Sequence, residues 1–66
     1  MLKKRTVEKR FVEREEAIVG AALELFAARG VEAVSIDMIA ERAGIGKGTV
    51  YKHFASKNDI YATLAI

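Results

Sequence analysis

No part of this chain constrains its fold as tightly as the spacing of apolar and glycine residues in SIDMIAERAGIGKGTVYKHFASK, from Ser35 to Lys57. Ile36, Ile39, Ala40 and Ala43 follow at intervals of three, one and three, which places them on a single face of a helix. Gly44 comes next, a residue that adopts positive φ at no steric cost and so ends a helix sharply. Ile45 follows as an apolar plug, and Val50 with Phe54 makes the inward seam of a second short helix. Small Ala40 lets two crossing helices approach, while Ile45 and Val50 fill the angle between them. These are the residue types a helix-turn-helix requires.

The outward side of the second helix follows from the same geometry. At about 100° per residue, Gly48 and Lys52 point most directly away from the Val50–Phe54 seam. Thr49 and His53 flank them on one side and Tyr51 on the other, with Lys47 in the first turn. The sequence puts no acid on this surface. A thin, basic, hydrogen-bonding helix fits a DNA major groove about 12 Å wide. On an ordinary helix Lys47 and Lys52 would be solvated charges and Tyr51 a half-buried core aromatic. Within this pattern, contact with DNA is the stronger reading for the lysines, and a phosphate contact through its hydroxyl for Tyr51.

Charge supports a polyanionic partner only when its distribution is considered. Residues 1–10 carry five bases and one acid, residues 11–43 three bases and seven acids, and residues 44–58 three lysines and no acid. With Asp59 the total is +2, so two basic ends enclose an acidic middle. Sixty-six residues allow one small all-α domain with a single modest core. No cysteine is present, which fits a reducing cytosol, and no apolar run is long enough to span a bilayer. The expectation is a soluble, cytoplasmic protein with no membrane partner.

Catalytic and cofactor chemistry finds little support. His53 is the one histidine, without a second histidine or a cysteine to complete a zinc site and with no acid nearby in sequence. Gly44-Ile-Gly-Lys-Gly-Thr49 has the wrong order for a phosphate-binding loop, because Gly48 separates lysine from threonine. No enzyme activity, metal or cofactor is expected. Met38 and the three phenylalanines read as core.

Residues 1–14 read as a basic arm that includes a further stretch of the first helix. Lys3, Lys4 and Arg5 either contact DNA from this arm or are disordered, and the sequence leaves the two open. The first helix should begin between Thr6 and Arg14 and end at Arg29. Its inward stripe is Ile18, Ala22, Leu25 and Phe26, with Val19 at the edge and Val7 and Phe11 upstream. Gly20 falls on its outer face, and Gly30 stops it with Val31 in apolar contact. Ser35 is the N-cap of the next helix, with Asp37 in its first turn. Ser56 and Asp59 have the spacing of a capping-box variant, so a fourth helix starts near Lys57. Ile60 and Leu64 run on to Ile66 with no closing cap, the expected opening of a longer chain.

AIVGAALELFAARGVEAVSIDMIAERAGIGKGTVYKHFASKNDIY resembles the N-terminal DNA-binding domain of the TetR family of transcriptional repressors, over roughly residues 15–64. The specific features are Ala-Ala-x-x-Leu-Phe ending at Phe26, Gly30, Ile39-Ala40, and Lys-Gly-Thr-Val-Tyr-x-His-Phe-x-x-Lys from Lys47 to Lys57. The resemblance implies a helix-turn-helix domain over residues 15–56 and, over 57–66, the start of a helix leading to a ligand-binding domain absent from this chain. It implies a homodimer on a palindromic double-stranded operator, formed through that missing domain, and a small-molecule inducer for the full-length protein. In the family, residues matching Lys47, Gly48, Tyr51 and Lys52 approach base edges. Those matching Ser35, Thr49, Tyr51, His53 and Lys57 hold phosphates. Gly46 departs from the family's usual serine or threonine cap, and Arg14-Glu15 from its usual small polar residue and arginine. The alternative from another class is a small helical protein-interaction module whose partner covers Ile60, Leu64 and Ile66.

Overall fold

The structure, a computed structural model, describes residues 2–64, with side chains from Lys9 onward. The side chains of Lys3, Lys4, Arg5 and Val7, and residue Ile66, lie outside that range, and with them the expectations placed on them. The order is α1 (Leu2–Arg29), a single 3₁₀ turn (Val31–Ala33), α2 (Ile36–Ala43), α3 (Lys47–His53) and α4 (Lys57–Leu64). The described residues contain no strand, as an all-α helix-turn-helix domain requires.

The first helix begins at Leu2, upstream of the window expected from periodicity. Residues 2–10 lack glycine and proline and consist largely of leucine, lysine, arginine and glutamate, which favour helix without a core to pack on. The basic leader is thus helical from Leu2. Ile18, Ala22 and Phe26 are buried as their spacing predicts, joined by Ala21, while Leu25 and Val19 are partly buried. Phe11 departs from its expected place in the core: it is 48% exposed, because the core ends one helical turn and more below it.

Gly30 ends α1 at φ 84° and ψ 151°, and its N–H donates to the Phe26 carbonyl at 2.8 Å. That backbone conformation leads the chain outward into the 3₁₀ turn, an element the sequence did not announce. Ser35 caps α2, its Oγ accepting from the Met38 amide at 3.2 Å. At the other end Gly44 is left-handed at φ 74° and ψ 30°. The Ile45 amide donates to the Ala40 carbonyl at 3.0 Å and the Gly44 amide to that of Glu41 at 3.1 Å, a Schellman motif.

One core joins all four helices. Ile36, Ile39 and Ala40 of α2, Val50 and Phe54 of the α3 seam, and Ile60 of α4 pack with Ile18, Ala22 and Phe26 of α1. Ile60 is wholly buried, so the fourth helix completes the domain's core. The Ser56 Oγ accepts from the Asp59 amide at 3.3 Å, and the Asp59 carboxylate accepts from the Ala55 amide at 3.2 Å. The expected box therefore forms, with its return bond one residue upstream.

Gly20 sits inside α1 with open space where a Cβ would stand. Gly20→Ala should stabilise the domain by about 1 kcal/mol, raising the melting temperature by about 4–8 °C. A thermal melt followed by circular dichroism reads this directly; an unchanged or lowered midpoint would mean that α1 is not a continuous helix there.

Candidate nucleic-acid interface

The candidate surface is built by seating α3 through one face. Val50 is fully buried and Phe54 nearly so, both against the α1–α2 core. A helix pinned through that seam must turn its opposite side to solvent. Lys47, Gly48, Tyr51 and Lys52 are all exposed, as the helical geometry predicted, and Thr49 is half-buried. The three-residue turn Gly44–Gly46 holds α3 across α2. Gly46 caps α3 with no side-chain hydrogen bond, so the Lys47 and Gly48 amides of the first turn are left without a side-chain partner from the cap.

The other expected contact residues are placed less uniformly. Ser35 is exposed at the start of α2, where its Oγ serves as the cap. The ammonium of Lys57 donates to the Val31 carbonyl at 2.7 Å and ties α4 to the 3₁₀ turn. Two of its three donors remain for another acceptor. Lys47 Nζ stands 3.4 Å from Asp37 Oδ1, so the face that is free of acid in sequence has one at its edge in space. Both groups are well exposed, and such a pair is worth about 0–1 kcal/mol, too little to compete with a phosphate.

His53 is the main correction. The helical wheel placed it beside the outward face, yet its side chain is only 3% exposed. The ring stacks on Phe11 with centroids 4.0 Å apart and planes 23° from parallel. Its Nδ1 lies 3.3 Å from Glu15 Oε1, so an acid does stand next to this histidine, brought from 38 residues away. The cause is the length of α1, whose upstream turns reach over the end of α3 and cover the imidazole.

The same reach produces a grouping that sequence reasoning did not assemble. Arg10 and Arg14 line an open hollow with Phe11, Thr49, Lys52 and His53. Two arginines of α1 therefore join a lysine and a hydroxyl of α3 around one concave surface. The signal was present as an Arg-x-x-x-Arg spacing, which puts both guanidiniums on one side of a helix. It carried no weight until the helix was known to run through that stretch. No group of acidic, histidine or cysteine side chains able to hold a metal occurs among the described residues. No described helix is long and apolar enough to cross a membrane.

Residues 18–64 match the profile of the family described as "Bacterial regulatory proteins, tetR family". The chain is 44% identical over 48 residues to the HTH-type transcriptional regulator SrpR of Pseudomonas putida, covering 73% of this chain and 22% of that protein. It is 45% identical over 49 residues to the HTH-type transcriptional activator FasR of Mycolicibacterium smegmatis, covering 74% and 22%. To the HTH-type transcriptional regulator AcrR of Shigella flexneri it is 36% identical over 52 residues, covering 79% and 24%. It spans roughly a quarter of the length of these curated relatives.

Proposed function

The chain belongs to the TetR family of bacterial regulatory proteins, and from that premise we propose that it reads operator DNA for a transcriptional regulator. The observation that carries the reading is the seating of α3, which buries Val50 and leaves Lys47, Gly48, Tyr51 and Lys52 in solvent. In this reading α3 enters the major groove. Lys47, Tyr51 and Lys52 meet base edges, and Gly48 gives the helix its closest approach. Ser35, Thr49, the Tyr51 hydroxyl and the free donors of Lys57 hold phosphates, with Arg10 and Arg14 at the margin of the same surface. His53 Nδ1 is engaged by Glu15 and one ring face by Phe11, which leaves Nε2 as the atom through which it would meet a phosphate.

The functional unit is a homodimer on a palindromic site, its two α3 helices about one helical turn of DNA, or a multiple, apart. A second domain supplies the dimer contact and a small-molecule site, and ligand binding alters the spacing of the heads. Repression follows where the operator overlaps a promoter; the related FasR is named an activator. No catalytic step, cofactor or membrane is involved, and the protein works in the cytoplasm on the nucleoid. A protein-interaction module is the weaker reading, because Ile60 is already covered by the chain's own core and Leu64 packs partly against it.

Salt titration of binding to a random-sequence duplex tests the proposal. Each phosphate neutralised contributes about −0.9 to the slope of log affinity against log salt, so three to five basic side chains predict a slope of about −3 to −4.5. A flat dependence would remove DNA as the partner.

A further inference from the structure

α3 is seven residues long, is seated by Val50, and starts at a glycine that offers no side-chain cap. Two turns of helix are not stable by themselves, so the attitude of this element depends on what holds its ends. Its first turn is held by the short link to α2. Its last turn is held from the opposite direction, by α1: the Phe11 ring lies flat on the His53 imidazole at 4.0 Å, and the Glu15 carboxylate faces Nδ1 at 3.3 Å. The bonding arrangement is Nδ1–H donating to the carboxylate, with the ring face covered by the phenyl group. The result is an imidazole 3% exposed in the last turn of a surface helix.

Among the described residues Phe11 is not part of the hydrophobic core, and it is itself 48% exposed. A phenylalanine kept half in water, with its ring stacked on an imidazole outside the core, is poorly explained by global stability. We propose that Phe11 and Glu15 are positioning residues for DNA reading: by gripping His53 they set the angle at which α3 presents Tyr51 and Lys52 to a groove. The inference rests on the DNA-binding reading for its consequence, though the grip itself can be observed without DNA. It also gives the upstream turns of α1 a task beyond charge. The same turns carry Arg10 and Arg14 to the hollow beside Thr49 and Lys52, so losing the grip separates these cations from α3.

Two measurements on the full chain test this. Phe11→Ala should speed hydrogen exchange at the amides of Tyr51, Lys52 and His53 while leaving α2 amides at their wild-type rates. It should also lower affinity for a duplex selected by the wild-type chain from a random pool, about fivefold to tenfold, as expected for the loss of one aromatic pair. Affinity for random duplex should fall less, since displaced arginines stay on the chain and can still meet phosphates, whereas base reading needs α3 at a fixed angle. Phe11→Tyr keeps the stacked face and should restore both readouts; Glu15→Gln keeps an oxygen acceptor and should sit near wild type, with Glu15→Ala below it. Wild-type exchange in α3 together with wild-type affinity in Phe11→Ala would overturn the proposal. So would a uniform rise in exchange over all helices, or a failure of Phe11→Tyr to recover. If the wild-type chain bound no duplex at all, the regulatory reading would fall, while the exchange measurement would still decide whether Phe11 holds α3.

Discussion

Replacing Lys52 with alanine is expected to flatten sequence preference at particular base pairs while leaving the domain folded. Lys52 stands on the outermost line of α3, opposite the buried Val50, and forms no ion pair among the described residues. Removing an exposed side chain with no partner costs the fold within about 0.5 kcal/mol. On a preferred duplex, a lysine donating to guanine O6 and N7 contributes about 1–3 kcal/mol of discrimination, so affinity there should drop by roughly 5- to 150-fold. Random duplex should lose only the share of one cation. Lys57→Ala is the contrasting change. It should weaken all sequences alike, reduce the salt slope by about 0.9, and also lower the melting temperature, since its ammonium satisfies the Val31 carbonyl at 2.7 Å. Binding isotherms on selected and random duplexes separate the two. If both substitutions lowered affinity for both duplexes by the same factor, the division between reading and positioning would be wrong.

Ile39→Ala should remove most of the stability the domain has. Ile39 is completely buried at the middle of α2, where α1 and α3 meet it. Truncating a buried isoleucine to alanine costs about 2–5 kcal/mol, from lost transfer energy and the cavity left behind. A chain of 66 residues has of the order of 3–10 kcal/mol in total, at about 0.05–0.15 kcal/mol per residue. The melting temperature should therefore fall by at least about 10 °C, and DNA binding should fade in step with helicity. Leu23→Ala, a truncation on the exposed face of α1, should leave the melt almost unchanged. Equal effects from the two would mean that the hydrophobic interior is not where it has been placed.

These expectations draw on two kinds of information. Ser35, Gly44, Val50 and Phe54 could be assigned from the chain alone because each acts over a span of three or four residues. A cap reaches the amide three positions on, a left-handed glycine closes the turn just behind it, and a seam repeats once per turn. The outward placement of Gly48 and Lys52 followed from the same local rule. The 3₁₀ turn after Gly30 escaped because a glycine at positive φ can leave in more than one direction, and ψ there is chosen by how Val31 and Val34 pack.

The site was legible to the extent that it lies on one helix. Its edges were not. His53 faces inward because α1 continues past the core to a point where Phe11 and Glu15 can reach it, 38 residues away for Glu15. Arg10 and Arg14 join the surface for the same reason, and Lys47 gains Asp37 as a neighbour because the turn folds α3 back across α2. Residue order by itself determined that four α-helices form, where the first two stop and which side of α2 and α3 is apolar, since those properties are fixed by bonds and spacings within about one turn. Only the packed structure decided which charges and rings meet across helices. That depends on helix length and crossing angle, and no periodicity within a single helix encodes either.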